Sequence, residues 1–326
     1  MASGRSIGHA GGMATGELDD REVRARSPRA EPARDPGAEL AATAAVAGGA
    51  APADPVDRLL ELFDLEALGD DRFEVPNPDR GFGERVFGGQ VAAQALRAAQ
   101  LTAPSGHQAH SLHANFLLGG RPGEPIVYEV DRLRDGRSFS TRRVEARQGD
   151  ERIFTLVASF HRDEPGAEYQ KPMPDVPAPA DSPTRMLFIP ESERPRLPFE
   201  LREIGGTEPD EHGWIESTRR AWMRLTRRID DDPALHQCVL TFFSDMGAVF
   251  MAWAPLPEQP LDRLMGASLD HAVWFHRPIR ADDWFLYDGH AVSNAGSRGL
   301  MRGTMHGEDG VLGLSVAQEA LLRVLR

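Results

Sequence analysis

Cysteine, lysine and long apolar runs are nearly absent from this chain of 326 residues. Cys238 is its single cysteine, which excludes an intrachain disulfide and a zinc site built on a cysteine cluster. No run approaches the ~18 apolar residues of a membrane span. The N-terminal residues also lack the apolar core of a secretory signal. We therefore expect no membrane span and a reducing, cytoplasmic location.

Positive charge is scarce relative to negative charge. The formal net charge is −13 at pH 7. A nucleic-acid-binding protein carries a basic footprint, so nucleic acid is not an expected partner. A local arginine patch can still hold an anionic small molecule. The length allows one large domain or two domains of ordinary size.

Residues 1–54 contain no aromatic side chain and no amphipathic period. Such a segment buries too little apolar surface to offset the entropy that is lost on ordering. We predict a disordered tail. A regulatory or targeting arm is the alternative.

Residues 55–162 are predicted to form the first folded unit. Asp54 can cap a helix that starts at Pro55 and continues through DPVDRLLELFDLEAL. The stretch RVFGGQVAAQALRAAQL predicts a second helix, apolar on most sides and therefore buried. Strands are predicted in HSLHANFLL, PIVYEVDRL, FSTRRVEAR and RIFTLVASFHR. The proline-rich residues 163–196 are predicted to be a linker.

Residues 197–326 are predicted to form a second unit. Its first strands are expected in PFELREI and STRRAWMRLTRRI, and short helices in DDPALHQCVL and SDMGAVFMAW. Four more strands are expected in GASLDHAVWF, WFLYDGHAV, RGLMRGTMH and VLGLSVAQEALL.

The two units resemble one another. GGQVAAQAL at 88–96 corresponds to SDMGAVFMA at 244–252, and SLHANFLL at 111–118 to SLDHAVWF at 268–275. The turn QGDE at 148–151 corresponds to GEDG at 307–310, and the offset stays near 156–160 residues throughout. Each half predicts one buried helix and an antiparallel sheet, an α+β arrangement. Pairing the two sheets edge to edge would give one continuous sheet without an exposed central edge.

Five motifs carry a resemblance to a known family: RVFGGQVAAQAL, HSLHANFL, FFSDMGAVF, ASLDHAVWFHRP and EDGVLGLSVAQEALLR. They span residues from about 85 to 325, nearly the whole predicted folded part. On these motifs the chain resembles the acyl-CoA thioesterase II family, whose fold is a double hotdog. The resemblance implies hydrolysis of medium- to long-chain acyl-CoA to free acid and CoA, without a cofactor. It also implies a homodimer or a homotetramer.

The same resemblance implies a catalytic role for three residues of the second half. Asp245 in FFSDMG corresponds to the family's general base, and Ser268 in ASLDH and Gln318 in VAQEA correspond to the groups that hold the attacking water. Some family members have threonine in place of the serine. Without the family pattern, Ser268 would be an ordinary strand serine and Gln318 a polar edge residue.

Asp245 follows Ser244 at a predicted helix start. It could therefore be only a helix cap. If it is the base, the helix dipole at that position lowers its proton affinity, whereas burial has the opposite effect. One active centre per chain is expected, because the first half has other residues at the matching positions: Gly89 or Gln90, and Ala158 or Ser159.

Substrate contacts are expected at two places. A helix start supplies free backbone N–H groups for a developing oxyanion, and the first buried helix begins with Gly88, Gly89 and Gln90. Arginines are expected to bind the CoA phosphates. The preferred candidates are Arg298 and Arg302, ahead of Arg85 and Arg137.

His271 and His276 do not predict a metal site. They lie five apart in a predicted strand and so point to opposite faces. We interpret both histidines, and Asp270, as structural.

Two other functions remain open. A hotdog enoyl-CoA hydratase needs an aspartate–histidine pair at a helix start, and SDMGAVF offers no histidine. A catalytically weak acyl-CoA-binding protein would not need the intact set Asp245, Ser268 and Gln318.

Overall fold

The computed structural model describes residues 54–77, 85–184, 197–204, 218–255 and 264–325. Of the predicted tail, only Asp54 lies within these ranges, and part of the predicted linker also lies outside them. The two boundaries that separate the predicted repeats therefore stay predictions.

The first described element is a short, capped helix. Helix α1 spans Pro55–Leu60 and continues as a 3₁₀ turn over Glu61–Phe63. The Val56 N–H donates to Asp54 Oδ1 at 2.7 Å, as expected of an N-cap aspartate. The helix is shorter than predicted, because strand β1, Glu66–Gly69, begins inside the predicted helical stretch. It pairs with β2, Arg72–Val75.

The remaining strands follow the predicted runs. In the first half they are β3 (His107–Phe116), β4 (Ile126–Asp135), β5 (Phe139–Gln148) and β6 (Glu151–Arg162). In the second half they are β7 (Phe199–Ile204), β8 (Thr218–Leu225), β9 (Leu264–Ser268), β10 (Asp270–Phe275), β11 (Phe285–Ala295), β12 (Arg298–Gly307) and β13 (Leu312–Val324).

Three further helices pack against these strands. Helix α2, Gly88–Thr102, is rich in buried alanine and lies on β3 to β6. Helix α3, Pro233–Ser244, packs against α2, and the short α4, Ala248–Trp253, packs on β9 and β11 to β13. Gly247, with φ 73°, separates α3 from α4 in a left-handed conformation that glycine adopts without strain. The helix break sits beside Asp245.

The described strands form one antiparallel sheet of 13 strands. Its order is β1-β2-β4-β5-β6-β3-β10-β13-β12-β11-β8-β7, and β9 also pairs with β13. The order on one side of the β3–β10 junction is the mirror of the order on the other side. This arrangement confirms the predicted α+β fold, two helix-plus-sheet repeats that share one continuous sheet.

A local twofold axis passes through the β3–β10 junction. His271 lies opposite Ala114, while Asp270 lies opposite Asn115 and Ala272 opposite His113. An offset of about 157 residues relates His271 to Ala114, and it relates the pair Asp270–Asn115 to the pair His113–Ala272. A second sign of the repeat is a pair of buried tyrosine hydroxyls. Tyr128 on β4 donates to Gln94 Oε1 on α2, and Tyr287 on β11 donates to the Ser244 carbonyl of α3, each at 2.7 Å.

One described segment, Pro233–Trp253, is long and apolar enough to span a membrane by length and composition alone. It comprises α3 and α4, and 72% of its most apolar window is buried inside the protein. A buried core helix passes the same test, so this finding is weak evidence for a membrane span.

Candidate active site

Asp245, Ser268 and Gln318 meet at the point where α3 ends and β9 approaches β13. Ser268 Oγ donates to Asp245 Oδ1 at 3.2 Å, and Gln318 Nε2 donates to Ser268 Oγ at 2.9 Å. Register brings these residues together, because Ser268 on β9 pairs with Ala320 on β13, two residues from Gln318. Ser268 is half-buried, whereas Asp245 and Gln318 are buried. The three residues predicted from the family pattern therefore form one cluster.

Asp245 does not lie at a helix start, which corrects the prediction. It caps the C-terminal end of α3, with φ −86° and ψ −11°. The carbonyl end of a helix does not favour a negative charge, so the expected help from the dipole of its own helix is absent. Burial raises the pKa of Asp245 to about 6, against the opposing effects of hydrogen bonds from Gln318 and Ser268 and of the Gly89 backbone N–H.

The start of α2 faces the carboxyl group of Asp245. A Cβ atom added to Gly88 would lie 2.7 Å from Asp245 Oδ2 and 2.8 Å from the Phe116 ring. Oδ2 is buried and has no hydrogen-bond partner among the described residues. The Gly89 N–H points towards the Asp245 carboxyl group and lowers its pKa as a hydrogen-bond donor, although the contact does not meet the strict geometry of a hydrogen bond. The first N–H groups of a helix have no partner within the helix, so this end of α2 can receive a polar ligand atom.

Gln90 is the one residue of the predicted glycine-rich start that is engaged elsewhere. Its side chain is buried, and Nε2 donates to Asn77 Oδ1 at 3.3 Å. Asn77 in turn donates to the Arg121 carbonyl at 3.1 Å. Gln90 thus ties α2 to the segment after β2.

The two preferred arginines lie away from the cluster. Arg298 and Arg302 are exposed residues of β12, in alternation with buried Met301, which lies opposite Gln318. Side chains alternate between the two faces of a strand, so both arginines are on the face opposite Gln318. Arg298 forms an ion pair with Glu319 at 3.0 Å. The structure therefore does not bring either arginine to the cluster.

Arg85 and Arg137 were the lower-ranked arginines. Arg85 is half-buried three residues before α2 and packs along Gly119, where a Cβ would meet its Cδ. Arg137 is exposed in the β4–β5 turn. Of the four predicted arginines, Arg85 is thus nearest in the chain to the start of α2.

A cavity of about 900 Å³ lies at the other end of α3. It is lined by side chains that include His110, His161, His236 and His276, and by none of Asp245, Ser268 or Gln318. The lining of the cavity includes basic residues such as Arg277 and acidic residues such as Asp309. The cavity is therefore distinct from the cluster.

Histidine 271 belongs to the cluster, and sequence reasoning missed this. Its Nδ1 lies 2.5 Å from Gln318 Oε1, and its Nε2 lies 2.7 Å from Ser244 Oγ. His276 instead contacts Ser315 Oγ at 2.8 Å, and Asp270 Oδ1 accepts from the Glu319 N–H at 2.7 Å. Among the described residues, no group of three or more histidine, cysteine or acidic side chains is placed to hold a metal ion.

Comparison with known proteins gives the family. Residues 76–161 match the acyl-CoA thioesterase N-terminal domain, and residues 171–322 match the acyl-CoA thioesterase C-terminal domain. The chain belongs to the acyl-CoA thioesterase II family. It is 35% identical over 282 residues to acyl-CoA thioesterase 2 of Haemophilus influenzae, which covers 83% of this chain and 98% of that protein. The resemblance drawn from the five motifs is confirmed.

Other relatives agree with this family. Human acyl-coenzyme A thioesterase 8 is 34% identical over 288 residues, covering 81% of this chain and 88% of that protein. The crystal structure of an acyl-CoA thioesterase II from Mycobacterium marinum is 36% identical and superposes with a TM-score of 0.71. That likeness covers 81% of this chain and 98% of the solved chain. Membership of the acyl-CoA thioesterase II family therefore holds over both repeats.

Proposed function

We propose that this member of the acyl-CoA thioesterase II family hydrolyses medium- to long-chain fatty acyl-CoA to fatty acid and CoA by general-base activation of water. One observation carries the mechanism. Asp245 is a buried carboxyl group whose Oδ1 is held by Ser268, while its Oδ2 has no protein partner among the described residues and faces the start of α2. A water bound at Oδ2 would complete the cluster.

The proposed reaction balances within the site. Asp245 takes one proton from the water as the water oxygen attacks the thioester carbonyl. The carbonyl oxygen becomes an oxyanion, which the N–H groups of Gly88 and Gly89 at the start of α2 would stabilise. When the C–S bond breaks, the CoA thiolate leaves and receives the proton from Asp245. The products are the free acid and the CoA thiol.

Ser268 and Gln318 would hold the water and the base in place. The Ser268 hydroxyl donates a hydrogen bond to Asp245 Oδ1 and accepts one from Gln318 Nε2. This restricts rotation of the carboxylate, so that Oδ2 keeps its direction towards Gly88. Holding reacting groups in an attacking geometry lowers the entropic part of the barrier.

A hydratase mechanism has less support. It would need a histidine with a free ring nitrogen beside Asp245. His271 lies in the cluster, but both of its ring nitrogens are in contact with protein side chains, Gln318 and Ser244. A purely acyl-CoA-binding role leaves the buried, unpartnered Oδ2 of Asp245 without a use.

Release of free thiol from acyl-CoA, measured over a series of chain lengths, tests the function. The wild type should release CoA and Asp245→Asn should lose roughly 10²-fold or more in kcat, because asparagine cannot accept the proton. Asp270→Asn is the matched control. Its oxygen can still accept from the Glu319 N–H, so its kcat should stay near the wild-type value. Equal rates for Asp245→Asn and the wild type would exclude Asp245 as the base.

The assembly and the compartment stay predictions. A homodimer or homotetramer and a cytoplasmic location are expected from the family resemblance and from the sequence composition. Sedimentation of the purified chain would give the number of copies.

A further inference from the structure

Five side chains form one hydrogen-bonded row through the buried centre. From its inner end the row runs through Ser244, His271, Gln318, Ser268 and Asp245. The four consecutive distances are 2.7, 2.5, 2.9 and 3.2 Å. Four of these residues are buried, and Ser268 is half-buried. Only the last three belong to the predicted catalytic set.

The direction of hydrogen donation along this row is determined. Asp245 Oδ1 can only accept when the carboxylate is charged, so Ser268 donates to it. Ser268 then accepts from Gln318 Nε2, which leaves Gln318 Oε1 as the acceptor towards His271. His271 must therefore carry its proton on Nδ1.

A flipped Gln318 amide would reverse this order. Gln318 Oε1 would face Ser268, and the Ser268 proton would move from Asp245 to Gln318. Two acceptors, Ser268 Oγ and Asp245 Oδ1, would then face each other without a proton between them. An isolated Gln318 has no intrinsic preference between these orientations, because its amide nitrogen and oxygen have nearly the same shape.

His271 is held firmly enough to decide between the two orientations. Its side chain is 1% exposed, and Nε2 contacts Ser244 Oγ. Ser244 Oγ also lies 2.8 Å from the Thr241 carbonyl oxygen, so its one proton is shared between two acceptors. The Ser244 backbone carbonyl accepts from buried Tyr287. The imidazole is thus fixed to the end of α3.

We propose that His271 is a positioning residue: its Nδ1–H selects the Gln318 amide orientation that directs the Ser268 proton onto Asp245. This inference rests on the proposed thioesterase function. His271 does not touch the reacting atoms in this arrangement and acts only through Gln318. Loss of its donor should lower kcat more than it raises KM, since the substrate contacts at α2 remain.

Two polar substitutions at the same position separate the donor from the bulk of the side chain. His271→Asn places its amide nitrogen near the position of Nδ1 and can still donate to Gln318. His271→Gln places its amide nearer to the position of Nε2, towards Ser244. We expect His271→Asn to keep kcat within about five-fold of wild type, and His271→Gln to lose about ten-fold or more, as expected for a misplaced catalytic group. A His271→Gln variant as active as His271→Asn, or more active, would overturn the proposal.

A double-mutant cycle tests whether His271 acts through Gln318. His271→Leu should lower kcat by about ten-fold or more in the wild-type background, but by less than about three-fold when Gln318→Ala is already present. A merely structural histidine would cost the same in both backgrounds, and that result would also overturn the proposal. His236→Leu is the control for removing a buried histidine. It loses the bond from the Ala281 N–H and should lower Tm without changing kcat.

The two hypotheses fail in different ways. If the wild type and Asp245→Asn release thiol at equal rates, the proposed function itself is wrong. If Asp245→Asn is inactive while His271→Gln and His271→Leu keep wild-type kcat, only the role of His271 is wrong.

Discussion

At the scale of single residues, the buried carboxyl group of Asp245 predicts a pH-dependent rate. Burial raises its pKa to about 6, so the base becomes protonated as the pH falls through this value. The logarithm of kcat/KM should then decline with a midpoint at about 6. Burial lowers the pKa of His271 to about 4, so His271 should stay neutral over this range. The measurement is kcat/KM as a function of pH, from below to above the Asp245 pKa of about 6. A midpoint near 3.8, the ordinary carboxyl value, would contradict the prediction.

The raised pKa of Asp245 also predicts how Asp245→Asn changes the stability of the protein. A carboxyl group that holds its proton more tightly when folded stabilises the protein at low pH. That contribution is lost as the pH rises from 3.8, the ordinary value, to about 6. At neutral pH, the buried charge costs at most about 3 kcal/mol by this linkage. Asp245→Asn removes this charge, so it should melt at or above the wild-type Tm at neutral pH. Its lost activity would then not reflect unfolding.

Family motifs predicted the members of the cluster, but not their surroundings. Asp245 follows a serine in the polar stretch SDMG between two apolar runs, which favours a helix start. In the structure, α3 reaches Ser244 and the break follows at Gly247. An apolar run on both sides hides this break in the sequence. The bond between His271 and Gln318 was equally hidden, because strand register joins side chains that are 47 residues apart.

At the scale of elements, the two glycines that open α2 should respond differently to alanine. A Cβ at Gly88 meets the end of the Asp245 side chain at 2.7 Å, whereas one at Gly89 meets the Phe242 backbone oxygen at 2.5 Å. A side chain can rotate away, but a helix backbone cannot. Gly88→Ala should therefore lower kcat by about ten-fold or more, through a displaced carboxylate. Gly89→Ala should destabilise the fold by about 1–3 kcal/mol through overpacking.

Thermal melting and kcat measured on both variants distinguish these effects. Relative to its fall in Tm, Gly88→Ala should lose more kcat than Gly89→Ala does. If Gly88→Ala keeps the wild-type kcat, the start of α2 does not restrict Asp245.

The long strands could be predicted from their residues, whereas the first hairpin could not. Alternating apolar positions predicted β3 to β6, and turn residues separated them. Strands β1 and β2 have four residues each, and the four residues of β1 are all exposed. Their turn uses Asp70 and Asp71, with φ 51° and 54°, a conformation that is uncommon outside glycine. Such short strands carry too few alternations to be distinguished from the end of a helix.

At the scale of the whole molecule, the predicted tail should be dispensable. Residues 1–50 have no aromatic side chain and little apolar period, so they contribute little to a hydrophobic core. Deleting them should leave Tm and the rate of thiol release nearly unchanged. The full-length chain, assayed in the same buffer, is the control. A truncated protein that melts normally but has lost its activity would contradict this prediction and favour a functional arm.

The repeat predicted from paired motifs agrees with the strand order of the sheet. The offset near 156–160 residues relates β3 to the β9–β10 segment, and the strand order is then mirrored about the β3–β10 junction. The side-chain geometry at the β3–β10 junction could not be predicted from the offset. That geometry depends on how α2 and α3 pack, and on which residue of each half approaches the local axis.

The offset of about 157 residues that relates His271 to Ala114 relates Asp245 to Gly88, one residue before the Gly89 of the motif comparison. A Cβ atom at Gly88 would lie 2.7 Å from Asp245 Oδ2. If the two halves were identical, both would carry an aspartate at this position. The two aspartate side chains would then point into the same space. Glycine in one half leaves room for the aspartate in the other. The two halves therefore cannot both carry an aspartate side chain at this position without a steric clash. Transplanting the second half's SDMG motif into the first half would require the backbones of α2 and α3 to separate before a second centre could exist.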